Sequence, residues 1–150
     1  MARSVDTIVI HCTQTSPEQR VRLWDLTKSA LNAGYLSPGN LLPFHFLIRR
    51  NASVVEGRPL ELTGAHPDIA GLNATVVNVV LVGGAHSIDR QGQNNFTTRQ
   101  FRKLRGVIAD LRGRLDRPVV ILGGDALIDR DSPAFDWWGF LEKEGLNGQG

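Results

Sequence analysis

Sulfur is scarce in this chain. Its 150 residues hold one cysteine, Cys12, so no intrachain disulfide can form, and a lone thiol suits a reducing compartment. Long apolar runs are missing as well. Nothing approaches the ~20 residues needed to span a bilayer, and Met1 to Asp6 carries no apolar segment of the secretion-signal type. A cytoplasmic location with no membrane partner is therefore expected. Net charge is nearly absent: 17 Lys+Arg stand against 15 Asp+Glu, leaving +2. So small an excess gives no general attraction to nucleic acid. Repeats and low-complexity segments are also absent. The local exception in charge is the stretch Arg99, Arg102, Lys103, Arg105, Arg112, Arg114 and Arg117, which reads as the solvated face of a helix.

What remains is the composition of one ordinary globular domain, residues 1–150. Asp6 to Cys12 (DTIVIHC) reads as a strand covered on both faces, because Ile8, Val9 and Ile10 are consecutive and β-branched. Ser16-Pro17-Glu18-Gln19 has the form of a helix start, with Val21, Trp24, Leu31 and Tyr35 on one face and Gly34 as the stop. Phe44 to Arg50 reads as a second strand, turning at Asn51-Ala52 into a partner at Ser53 to Glu56. Thr75 to Val82 (TVVNVVLV) is the strongest strand, set between two long loops at 63–74 and 83–95.

The next helix is well signalled. Thr97 and Gln100 form a capping box, Phe96 and Phe101 a hydrophobic staple, and Phe101, Leu104, Ile108, Leu111 and Leu115 follow helical spacing. Pro118 to Leu122 is a buried strand ending in Gly123-Gly124, and a last helix covers about 136–144, with Trp137, Trp138, Phe140 and Leu141 as its packing surface. The order β-α-β-β-β-α-β-α predicts an α/β fold, a mixed sheet flanked by about three helices. The three tryptophans are expected in the core.

Six strings, in order, carry a likeness: TIVIHCTQT, FHFLIRRNASVVEGR, GAHPDIAGLN, VNVVLVGG, NFTTRQFRKLRGVI and SPAFDWWGFLEKEGL. Together they resemble the type 2 N-acetylmuramoyl-L-alanine amidases, above all the small amidase endolysins of podoviral phages, some of which also inhibit a phage RNA polymerase. Peptidoglycan recognition proteins share that fold. The resemblance implies a zinc ligand at His11. It implies a second, histidine ligand after the last strand, where this chain reads Leu122-Gly123-Gly124-Asp125, and a third, Cys or Asp, where this chain has Ser132. Phe44 stands at the position of the family's active-site tyrosine, Arg130 at that of its lysine, and His45 and His66 match pocket histidines.

Catalytic zinc normally takes three protein ligands of His, Cys or carboxylate type plus water. One matched ligand of three predicts a non-catalytic member of the fold with no cofactor, unless a site is rebuilt around His11. Asp125 is the best substitute ligand. Cys12 neighbours His11 on a strand and so points to the opposite face. His11 is then either a pocket residue or a buried histidine bonded locally. Ser132 reads as a turn or capping residue, since no nucleophile elbow accompanies it, and His86 as an exposed loop residue.

The expected ligand-binding set is His11, Phe44, His45, His66, Asp125, Arg130 and Ser132. Its expected occupant is a peptidoglycan fragment or other small ligand, with a host or phage protein as a possible partner. Two alternatives stand beside this: a working amidase with a remade metal site, and an inhibitor of an RNA polymerase. The short lead-in from Met1 to Asp6 weighs against the last, because the resemblance places polymerase binding at the N-terminal region.

Overall fold

The runs rich in Val and Ile become the inner strands of one five-stranded sheet. The computed structural model describes residues 3–32, 42–65, 67–127 and 132–146. Its strands are β1 (Thr7–Cys12), β2 (Phe46–Ile48), β3 (Val54–Glu56), β4 (Val76–Leu81) and β5 (Val120–Gly123), and its helices are α1 (Leu23–Asn32), α2 (Thr98–Arg114) and α3 (Trp137–Lys143). The order across the sheet is β3-β2-β4-β1-β5. β3 is antiparallel to β2, and every other pairing is parallel. This is the mixed sheet with three helices that the element order predicts.

Parallel register decides which side chains share a face. Ile8 and Ile10 of β1 align with Val77 and Val79 of β4. That face, with Ile121, Phe46 and Ile48, packs on Leu104, Val107, Ile108 and Leu111 of α2 and Leu141 of α3. Shortening any of these large core side chains to Ala should cost about 2–5 kcal/mol. The opposite face is different. Its apolar cover splits into one cluster of Leu42, Phe44, Leu47, Val80 and Val82, and a second of Val9 and Val76 with Leu127 against them. Between the two lie His11, His45, Asn73 and Asn78, all buried. A polar seam thus runs through one side of the sheet.

Gln100 fixes α2 to the sheet. The capping box is present, and Gln100 Oε1 accepts from the Thr97 N–H at 2.9 Å. Its Nε2 donates to the Val82 and Ile48 carbonyls at 2.9 and 3.3 Å. One buried amide therefore caps the helix and satisfies backbone acceptors at the ends of two strands. The Phe96–Phe101 staple forms with ring centroids 5.9 Å apart, and Phe135 joins it at 4.9 Å from Phe101, tying the segment before α3 to the start of α2.

Three expectations need correction. The first helix begins at Leu23 and not at Ser16: Ser16 is buried, and its carbonyl accepts from the Gln19 N–H in a turn. With that later start, Leu23 and Leu26 face the sheet beside Val21, which leaves Trp24 57% exposed; Tyr35 and Gly34 lie outside the described residues. Trp138 is likewise 55% exposed, while its neighbour Trp137 packs against the core. Finally, the 63–74 loop contains a 3-10 helical stretch, Pro67–Thr75.

Candidate functional site

Because β1, β4 and β5 run parallel, their carboxyl ends open on one edge of the sheet, where ligands of open α/β sheets usually bind. His11 lies near the end of β1 and is 1% exposed. Asn78 sits in mid-β4 on the same face, one register step away. Its amide is oriented by Nδ2 donating to Asn73 Oδ1 at 3.3 Å, so Oδ1 accepts from His11 Nε2 at 2.9 Å. In the neutral ring Nε2 then carries the hydrogen, and Nδ1 is the lone-pair nitrogen. That nitrogen points to the end of β5, where a Cβ at position 124 would sit 3.0 Å from His11 Nδ1 and 3.4 Å from Ser132 Oγ. Residues 11, 124 and 132 therefore meet at one point.

Ser132 is 4% exposed. Its Oγ accepts from the Cys12 N–H at 3.2 Å, and its carbonyl accepts from the Asp125 N–H at 2.6 Å. Both bonds tie the segment before α3 to the ends of β1 and β5, the first being a structural use of the hydroxyl. Cys12 faces the other way: a Cβ on Gly84 would lie 2.6 Å from its Sγ, and Gly84 has φ +98°, so glycine is required there twice over.

His45 belongs to the same network. Its Nδ1 accepts from the Asn78 N–H at 3.1 Å, and its own N–H donates to the Asn78 carbonyl. The ring continues the β2–β4 ladder by one step. Nε2 consequently bears the hydrogen and donates to the Leu62 carbonyl at 2.9 Å. Burial lowers the imidazole from 6.5 to about 4, partly opposed by the Leu62 bond, with Arg3 and Arg58 adding to the depression. Arg3 lies 3.0 Å from the same nitrogen but donates to the carbonyls of Leu60, Ala74 and Val76. Arg58 donates to those of Leu42 and Thr63. Two arginines thus hold the loop beside the seam through backbone oxygens.

The other expected residues are placed less centrally. Phe44 is buried in the apolar cluster with Leu47 and Val80. Asp125 is exposed, and its Oδ1 accepts from Trp137 Nε1 at 2.7 Å. His66 and Arg130 lie outside the described residues. His86 caps a turn, its Nδ1 accepting from the Ile88 and Asp89 N–H groups. One residue went unremarked in the sequence: Asn78, the lone polar letter in an apolar strand. Gly124 lies in the stretch where the resemblance implies a histidine, and its contribution is the space left by a missing side chain.

The donor set can be tested against the zinc that the resemblance implies. His11 is held as metal-binding histidines are, its second nitrogen bonded to an amide oxygen. Position 124 offers no side chain, however, and Ser132 offers a neutral hydroxyl already bonded to a backbone N–H. Among the described residues no three His, Cys, Asp or Glu side chains gather where a metal ion would be held. These groups do not fit a three-ligand hydrolytic zinc. What they form is a buried polar corner of a fixed imidazole, a serine oxygen and backbone groups at the carboxyl edge of the sheet.

Comparison with known proteins identifies the family. The endolysin of Enterobacteria phage K11 is 34% identical over 129 residues, spanning 85% of this chain and 79% of that protein. Among solved structures, the N-acetylmuramoyl-L-alanine amidase LysC of Clostridium intestinale URNW superposes with a TM-score of 0.75 at 17% identity, covering 96% of this chain and 87% of its own. A variant of Drosophila PGRP-LB in complex with tracheal cytotoxin gives 0.60 at 21% identity, covering 87% and 76%. Residues 1–133 match the model of the N-acetylmuramoyl-L-alanine amidase family, and with its seam, its strand ends and the phage endolysins beside it, the chain belongs to that family.

Proposed function

We propose that this chain is a non-hydrolytic amidase-fold protein, of phage origin, that binds a peptidoglycan-derived ligand at the carboxyl edge of its sheet. One observation carries the reading: residues 11, 124 and 132 converge, yet only His11 brings a metal-type donor. The carboxyl edge of a parallel sheet is where ligands of such folds usually bind, and the convergence lies at that edge. The tracheal cytotoxin bound by a protein of the same fold makes a muropeptide the natural first ligand to try. Among the described residues no helix is long and apolar enough to cross a membrane, and the host cytoplasm is the proposed location.

The test has two parts. Metal analysis and a cell-wall turbidity assay on the purified protein should find no stoichiometric zinc and no clearing. Calorimetry with muropeptides should give a saturable heat that His11→Ala weakens. One zinc per chain together with clearing would establish the second reading, a working amidase, which the endolysins matched over most of their length favour. The polymerase reading is disfavoured by Arg3, whose guanidinium is committed to three backbone carbonyls, and by Val5, which is buried.

A further inference from the structure

The far side of the molecule carries a charge arrangement that the cleft does not use. α2 bears six cations and one acid, in a chain with a net charge of only +2. In its C-terminal half the cations have partners. Arg114 pairs with Glu56 and Asp110 at 3.5 Å, and Arg112 donates to the Leu146 carbonyl. Arg105, in the middle, pairs with Glu144 at 3.2 Å. Among the described residues no carboxylate pairs with Arg99, Arg102 or Lys103. All three are exposed and line one groove of about 530 Å3 with Asn51, Ser53 and Gly106, a lining that contains no acid.

The helix makes this costly. The first turn of α2 has no acidic residue, so Arg99 and its neighbours stand at the positive end of the helix dipole. Cations there are unfavourable. Like charges within one groove repel further. Gly106 leaves the wall open, since a Cβ there would meet nothing within 4 Å. The hairpin turn supplies the opposite wall, with Asn51 Oδ1 fixed by the Ser53 N–H at 2.9 Å.

We infer that this groove is a binding site for a small phosphate-bearing molecule, with Arg99, Arg102 and Lys103 as its cationic clamp. Repulsion among the three is relieved by an anion, and guanidinium forks match phosphate oxygens. The unpaired cations span only about 6 Å along the helix. That length suits a compact phosphate or pyrophosphate group and is too short for a polymer track. The grooved shape also disfavours a flat lipid surface. α2 covers the sheet face opposite His11, so the site is independent of the cleft.

Calorimetry with inorganic pyrophosphate at low salt tests this. Wild-type protein should bind one equivalent, weakening as salt rises. Arg102→Gln and Lys103→Gln should each weaken binding at least tenfold, Arg102→Lys less so, and Arg114→Gln should have no effect. Absence of binding by the wild type, or an equal loss in Arg114→Gln, would overturn the assignment. A single-stranded oligonucleotide or phosphatidylglycerol vesicles that bind without being displaced by pyrophosphate would overturn it too, by showing an extended polyanion or a membrane as the occupant.

Discussion

Acidification should destabilise this protein through His45. The ring is fully buried, and each nitrogen is committed in the neutral form, Nδ1 accepting from Asn78 and Nε2 donating to Leu62. A second proton would sit on Nδ1, facing the Asn78 N–H, with the Arg3 and Arg58 guanidinium groups close by. Because the folded value is lowered from 6.5 to about 4, the unfolded chain takes up the proton first. The stabilisation is therefore complete above pH 6.5, is lost progressively as pH falls from 6.5 to 4, and changes little below that. At about 1.4 kcal/mol per pH unit, the loss is about 2 kcal/mol at pH 5 and about 3 kcal/mol at pH 4. Urea unfolding followed by tryptophan fluorescence, at several pH values, measures it. His45→Asn keeps an acceptor for Asn78 and cannot titrate. It starts less stable at pH 7.5, but the gap should close by about 3 kcal/mol on reaching pH 4. Parallel curves for the two proteins would refute the assignment of both ring nitrogens.

Gln100→Ala should destabilise by about 1–3 kcal/mol, because it removes the reciprocal half of the capping box and leaves the Val82 carbonyl without the Gln100 donor; chemical denaturation would report it. Gly123→Ala should cost about 1–3 kcal/mol, since its Cβ would lie 2.2 Å from Trp137 Cδ1, and the emission of Trp137 should shift with the displaced ring. Ala52→Gly should stabilise by about 0.5–1 kcal/mol, because Ala52 holds φ +68° in the β2–β3 turn, a change readable as a higher Tm. The double variant Gly124→His with Ser132→Cys should gain stoichiometric zinc in a chelator competition assay, provided His11 and Ser132 yield a few tenths of an ångström. Failure of a folded double variant to bind would show that more than ligand identity has changed.

The sheet was legible because β1 and β4 are written in β-branched residues on both faces, and α2 because its capping box and apolar spacing agree. α1 was misplaced at its start because Ser16-Pro17 has the form of a helix entry, while burial of Ser16 and a turn to Gln19 took precedence. The 3-10 stretch Pro67–Thr75 leaves no apolar period to read. At the site, His11 and Ser132 were identifiable only through likeness to a family, and nothing in their neighbours says that they meet at position 124. Asn78 was visible as an oddity in its strand, but its bond to His11 is a matter of register between strands. Trp24 and Trp138 show the reverse error: large apolar residues need not be inside when adjacent positions already fill the helix face.

Consider the sequence separations bridged at the carboxyl edge. His11 meets Asn78 across 67 positions, and the Cys12 N–H meets Ser132 across 120. No local segment can assemble this corner, so its loop-closure entropy is met only when the whole sheet has formed. The corner should therefore form as a unit, and a truncation that removes residue 132 should lose it even where β1 and β4 remain.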